Sequence, residues 1–291
     1  ALDNWHQAAP RLNARSEELN QGTCPDIQEL AVKSLAAPLP RAFEFVDGSA
    51  YLPHVERVRR ARGAKVPESF YVDPLMYQAT SAGFLGPRDP VPVVSEEYGI
   101  DFESEIIVIT DDVPMAVTAE NAEAHIQLVG LINDVSLRNL IPAELAKGFG
   151  FLQSKPRSAL SPVLVTPDEL GEHWQDAKLS LPLHSTLNGA FFGEPEAGVD
   201  MQFNFAQLVA HAAKTRPLTA GTIVGSGTIA NEDTSKGASC LAEIRMLEII
   251  ADGKPSTPFM KFGDTIRIEM FDQQGDSVFG AIEQKIVPHE S

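Results

Sequence analysis

The sequence predicts a mostly β fold of the α+β class, a roll or barrel with peripheral helices. Three observations point there. Strand-like runs rich in β-branched residues recur along the chain, among them "DFESEIIVI", "HIQLVGLINDVS" and "DTIRIEMFD". Helical spacing is confined to a few stretches, and Pro and Gly break the segments between them. With 291 residues, 43% of them hydrophobic, the chain is long enough to bury a full core.

Residues 1–40 read as a polar helical lead-in ending in the Pro-bounded loop "SLAAPLPRA", the remnant of a small N-terminal region, and 41–291 as the main domain. There "RAFEFV" is a strand and Asp47-Gly48-Ser49 a turn. "AYLPHVERVRRARGA" is a helix with Pro53 in its first turn and Gly63 at its end. The following 34 or so residues, from "VPESFYVDPLMYQ" to "SEEYG", are rich in Pro and Gly and form loops of the kind that line sites. Then come the strand in "DFESEIIVI", a helix near "TAENAEA", the apolar strand "HIQLVGLINDVS", a short helix "PAELAKG", and strands in "ALSPVLVT" and "KLSLPLHSTLNGAFF". "FNFAQLVAHAAK" is the clearest helix. The end reads as strands: "GTIVGSGTIA", "SCLAEIRMLEII", "DTIRIEMFD" and "SVFGAIEQKIV", the last two separated by a "QQGD" turn.

A formal net charge of -17 disfavours nucleic acid and acidic membrane surfaces as partners, since both attract basic proteins. No membrane span or signal peptide is visible, and a first residue other than Met is expected of a fragment or a processed chain. Cys24 and Cys240 are too few and too far apart for a disulfide framework or a thiolate metal site, so a reducing cytoplasm is expected.

The candidate chemistry begins with the carboxylates. Side chains alternate along a strand, so Asp101, Glu103 and Glu105 share one face and Phe102, Ser104, Ile106 and Val108 the other. Carboxylates two residues apart on a strand lie about 7 Å from each other and can converge on one hard cation; in isolation, a solvated edge is the commoner reason for such a pair. Asp134 follows an apolar strand, where an unpaired carboxylate is expensive, and is either a third ligand or an Asx-turn residue. Asp47 is a fourth ligand or an N-cap, the cap being the better reading in isolation. His54 lies in a helix and has the titration range of a general base, though a lone helical His is more often a surface or core residue. Arg138, Lys155 and Arg157 are loop cations suited to a substrate carboxylate or an oxyanion, or simply to solubility. "GSGTIANEDTSKGAS" lacks the spacing of a phosphate loop, and the two glycines after "TIV" instead permit close backbone approach to a ligand or a sharp bend.

Together, "DGSAYLPH", "DFESEIIVI", "NDVSLRN", "SKPRSALSP" and "GSGTIANEDTSKGASCLAE" resemble the fumarylacetoacetate hydrolase family over about residues 41–287. E-x-E followed about thirty residues later by N-D-V-S is the most specific pair. The resemblance implies a mixed β-sandwich roll, usually homodimeric, with a divalent cation (Mg²⁺, Ca²⁺ or Mn²⁺) held by Asp47, Glu103, Glu105 and Asp134. It further implies that His54 activates water and Glu243 orients it, that Lys155 assists, and that Tyr77, Arg138 and Thr228 contact a small anionic diketo-acid substrate. The implied reaction is hydrolysis of a carbon-carbon bond in a 1,3-diketo acid such as fumarylacetoacetate, a step of aromatic amino-acid and tyrosine breakdown. Acylpyruvate hydrolysis, oxaloacetate decarboxylation and isomerisation of a 2-hydroxy-diene-dioate are alternatives on the same scaffold. A non-catalytic dicarboxylate binder is the alternative from another class.

Overall fold

The computed structural model describes residues 1–61, 63–81 and 83–290; positions 62, in the helix expected after residue 50, and 82, in the loop beyond it, lie outside the described residues. Strands β1 (Phe45–Gly48), β2 (Met76–Ala79), β5 (Ser104–Thr110), β6 (Ile126–Asn133), β8 (Ala159–Leu160) and β13 (Ile223–Gly225) make one sheet in the order β2-β1-β13-β5-β6-β8. Strands β3 (Val91–Val93), β11 (Leu183–Leu187), β12 (Ala190–Gly193), β14 (Thr265–Met270) and β15 (Ile282–Pro288) make a second, in the order β12-β11-β14-β15-β3. Two ribbons, β4 (Ile100–Asp101) with β7 (Ser136–Leu137) and β9 (Trp174–Gln175) with β10 (Lys178–Leu179), complete the numbering. Pairing is antiparallel except for β1 with β13 and β15 with β3. The fold is α+β, with curled sheets and helices at the periphery, as the sequence predicts.

Alternation along β5 organises the interior. Ile106 and Val108 face the second sheet and join Val46, Val129, Leu131 and Val224 with Ile266, Ile268 and Ile282 in the main core. Ile107 and Ile109 point the other way, into a second cluster with Phe45, Ile132, Leu160 and Ile223. Each such fully buried side chain contributes about 1.5–3 kcal/mol relative to exposure. That second face changes character along the strand, because the residues before Ile107 on it are Glu105 and Glu103. Strand β1 changes in the same way, Phe45 lying in the cluster and Asp47 two residues on, with Asp47 and Ile107 both registered on Gly225 of β13. Two strands thus turn from apolar to acidic at the same end of one sheet.

Helices α1 (Trp5–Asn20), α2 (Leu52–Ala61), α3 (Ala119–Ala122), α4 (Ile141–Leu145), α5 (Phe205–Ala212) and α6 (Leu241–Asp252) surround the sheets. The lead-in helix α1 buries none of its residues, while Leu2, Leu39 and Ala42 pack on the second cluster. Helix α5, the clearest helix in the sequence, starts with a capping box, Asn204 with Gln207, and buries Phe205, Ala206, Leu208 and Val209. Among the described residues, no helix is long and apolar enough to cross a membrane.

Two expected strands are corrected. "SCLAEIRMLEII" is not a strand but helix α6. Its Leu, Ala, Glu and Met are strong helix formers, its polar residues do not alternate, Asp101 accepts from the amides of its first turn, and Gly253 ends it at φ 77°. In "ALSPVLVT" only Ala159–Leu160 pairs as a strand, because Pro162 follows and brings no N–H to the ladder; Val165 makes a lone bridge to Val129.

Candidate active site

The acidic ends of β1 and β5 meet the loop after β6. Ligand oxygens of Asp47, Glu105 and Asp134, all buried, lie within 4.8 Å of one another. Asp47 is a strand residue and not the N-cap of α2, which begins five positions later at Leu52. Its carboxylate accepts from the Gly227 amide at 3.1 Å, and a Cβ on Gly225 would come within 2.2 Å of it. The "GSGTIA" glycines, expected to approach a ligand, here approach the Asp47 carboxylate. Asp134 accepts from Lys155 Nζ, Ser158 Oγ and the Tyr77 hydroxyl, each at 2.6 Å.

The two glutamates of the E-x-E pair differ sharply. Glu103 accepts from Lys155 at 2.5 Å, Arg138 at 2.7 Å, Thr228 at 2.8 Å and Ser136 at 2.9 Å. Burial pushes its carboxyl up, but Arg138 and Lys155 outweigh that and hold it well below the usual carboxylate range. Both oxygens of Glu105 are buried with no hydrogen-bond partner among the described residues. Burial, then the neighbouring Asp47, Glu103 and Asp134 charges, raise Glu105 far above its ordinary value, and burial with the Asp134 charge pushes Asp47 up to about 8. Burial opposes the charge on Lys155, yet Asp134 and Glu103 keep it above its ordinary value.

This donor set fits a hard divalent cation. It consists of oxygens only, and in Glu105 it includes a buried carboxylate that no described residue satisfies. Four carboxylates face the two cations Lys155 and Arg138, and Arg138 is shared with a further acid, Asp101, at 2.8 Å.

His54, in the first turn of α2, places Nδ1 2.9 Å from Glu243 Oε2 in the first turn of α6. A carboxylate only accepts, so Nδ1 carries the proton and Nε2 is left to take another. The other oxygen of Glu243 is bound by Arg57, whose second nitrogen donates to the Asn231 and Glu232 carbonyls. Helices α2 and α6 pack against each other, which brings residues 189 positions apart into contact.

A cavity of about 650 Å³ joins these groups: His54, Asp47, Glu103, Glu105, Tyr77, Arg138, Lys155 and Thr228 all line it. Glu243 and Asp134 stand behind His54 and Lys155, and all ten site residues expected from sequence fall in one region. Arg157 does not line the cavity; its guanidinium is spent on the Gly83 and Phe84 carbonyls. Sequence reading missed Arg57, whose place one helical turn after His54 was the available signal, and gave no role to Ser136 and Ser158, although they lie in the quoted "NDVSLRN" and "SKPRSALSP" stretches. It also missed Phe151, whose ring meets that of Tyr77 edge-on at 4.7 Å.

The chain is 26% identical over 223 residues to a 2,4-didehydro-3-deoxy-L-rhamnonate hydrolase of Sphingomonas sp. (strain SKA58), covering 72% of this chain and 69% of that one. Among solved structures, it resembles a putative HpcE protein from Mycobacterium smegmatis at TM-score 0.69 and 20% identity, covering 96% and 86% of the two chains. A 5-carboxymethyl-2-hydroxymuconate delta-isomerase from the same organism matches at TM-score 0.61 and 19% identity over 88% and 83%. At such identities the structural likeness is one of fold. Residues 1–41 match the Fumarylacetoacetase N-terminal domain 2 family. Residues 44–287 match the family described as Fumarylacetoacetate (FAA) hydrolase C-terminal, and the chain is an enzyme of the fumarylacetoacetate hydrolase family.

Proposed function

We propose that this enzyme is a metal-dependent hydrolase that cleaves a carbon-carbon bond in a 1,3-diketo acid, of which fumarylacetoacetate is one candidate. The observation that carries the reading is the placement of the His54–Glu243 pair and an oxygen-only acidic group on one cavity. The hydrolase relative supports it, since its named substrate is a 2,4-didehydro-3-deoxy acid, words that describe two carbonyls around a methylene.

Asp47, Glu105 and Asp134 would hold the cation, with Glu103 beside them. Such a cation supplies Lewis acidity, polarising the substrate's carbonyl oxygens and favouring enolate charge. His54 Nε2 takes a proton from water, which adds to the acyl carbonyl, while Glu243 holds the ring and compensates the charge it gains. Lys155 and Arg138 donate to the developing oxyanion or to a substrate carboxylate. Collapse breaks the bond between the acyl carbon and the methylene, whose electron pair takes the proton back from His54. One water is consumed, and a carboxylate and a methyl ketone leave with release of one proton.

The reading includes a small anionic substrate and a homodimer, the latter testable by sedimentation. The reaction itself is tested by incubating the protein and Mg²⁺ or Mn²⁺ with fumarylacetoacetate or acetylpyruvate and identifying products by NMR. A carboxylic acid and a methyl ketone in equal amounts are expected. An isomerised or decarboxylated product overturns the reading in favour of another reaction of this scaffold, and unchanged substrate in favour of a binder.

A further inference from the structure

The outer half of the cavity differs from its floor. His54 and Glu243 each occupy the third position of their helix, so α2 and α6 both run outward from the pair. Val55 and Val58 follow His54 on α2, and Met246 and Ile249 follow Glu243 on α6; all four line the cavity, with Phe259 beyond them. Val58 lies four positions beyond His54 and Met246 three beyond Glu243, on the helix faces that carry the pair, and Ile249 lies three beyond Met246. From Glu243 to Ile249 the helix rises about 9 Å, the length of an extended alkyl chain of about six carbons or of an aryl ring with its linker.

Charge reinforces the contrast. Among the described lining residues, the only ionic side chains outside the floor are Arg59 and Arg245. The Arg245 guanidinium lies 4.0 Å over the Phe259 ring and donates to the Thr257 carbonyl; that of Arg59 lies 4.9 Å over the Phe70 ring. Guanidinium planes stacked on rings extend the apolar wall. A polyhydroxylated tail would bury hydroxyls here with few partners beyond the two guanidinium groups, whereas an apolar one exchanges water for hydrocarbon.

We propose that the substrate's acyl tail is apolar, an alkyl chain of about six carbons or an aryl ring, held between α2 and α6, which ranks fumarylacetoacetate, whose acyl tail ends in a carboxylate, below acylpyruvates with apolar tails. The inference rests on the hydrolase reading for the position of the reacting end, and the test separates the two. With full-length protein and Mn²⁺, kcat/KM is measured for acylpyruvates bearing methyl, n-hexyl, phenyl or carboxyethyl tails. Calorimetry then compares binding of uncleavable 2-oxo acids with methyl and n-heptyl tails. Each buried methylene is worth roughly a three- to fourfold gain, so n-hexyl should exceed methyl by at least about 30-fold in kcat/KM.

Ile249→Asp should cut that ratio at least about tenfold, and the milder Met246→Ala about threefold, so the test survives if the first variant fails to fold. A flat tail dependence, or preference for the carboxyethyl tail, overturns the apolar site and leaves the hydrolase reading standing. No cleavage, with the n-heptyl acid binding more tightly than the methyl, supports the apolar site and overturns the hydrolase reading. No cleavage and equal binding overturns both.

Discussion

Asp101 accepts from the Leu241 and Ala242 amides at 2.8 and 2.9 Å, so the first carboxylate of the D-F-E-S-E run caps the helix that carries Glu243. The same carboxylate holds Arg138, whose other nitrogen reaches Glu103. One buried acid therefore fixes both the His54 partner and a cation of the floor. Asp101→Ala removes a cap and strips a partner from Arg138, and should cost about 3 kcal/mol in chemical denaturation. Asp101→Asn keeps an acceptor and should cost less.

His54→Ala should lower kcat by about 10²–10⁴-fold while leaving cation affinity, measured by calorimetry, within about twofold of the parent. Arg57→Met should fall between, since Glu243 keeps His54 but loses its second anchor. Activity retained in His54→Ala would remove its role as base.

Glu105 should reveal a conflict between stability and metal binding. Its two buried oxygens have no partner among the described residues, so an uncharged amide is cheaper there when no cation is present. In chelated protein, Glu105→Gln should melt at or above the parent temperature. With excess Mn²⁺ the order should reverse, because the parent gains binding free energy that the variant lacks. Identical melting shifts on adding metal would place the cation elsewhere.

Glu144, at the end of α4, accepts from the Leu152, Gln153 and Ser154 amides and from the Ser154 hydroxyl, fixing the loop that delivers Lys155. Burial raises its carboxyl, but the Ser154 hydroxyl and the loop amides prevail and bring it down to about 2. A group whose pKa is depressed by folding stabilises above its unfolded value, near 4.5, and loses that contribution as pH falls towards about 2. Parent stability should therefore drop across this window, and the drop should be shallower in Glu144→Gln. A parallel pH profile would contradict the assignment.

Much of this was legible in the sequence where local pattern and tertiary role agree. Period-two alternation put Glu103 and Glu105 on one face and Ile106 and Val108 on the other, as β5 does. Pattern failed where a distant residue decides. Leu241–Asp252 became a helix with its cap supplied by Asp101, 140 positions away, and its apolar density alone cannot distinguish helix from strand. Asp47 resembled a cap because Ser49 and a helix follow; the parallel pairing of β1 with β13 makes it a floor residue, and no local signal announces a parallel partner. The unequal roles of Glu103 and Glu105 were equally hidden, since they depend on Lys155, Arg138, Thr228 and Ser136 converging from separate segments.

The most direct test follows loss of diketone absorbance for fumarylacetoacetate and a short acylpyruvate with chelated protein, before and after Mg²⁺ or Mn²⁺ is restored. Turnover of at least one substrate that vanishes on chelation and returns with metal is the predicted result. Turnover untouched by chelation, or none of either substrate despite tight metal binding, would contradict a hydrolase built on Glu105, Asp47 and Asp134.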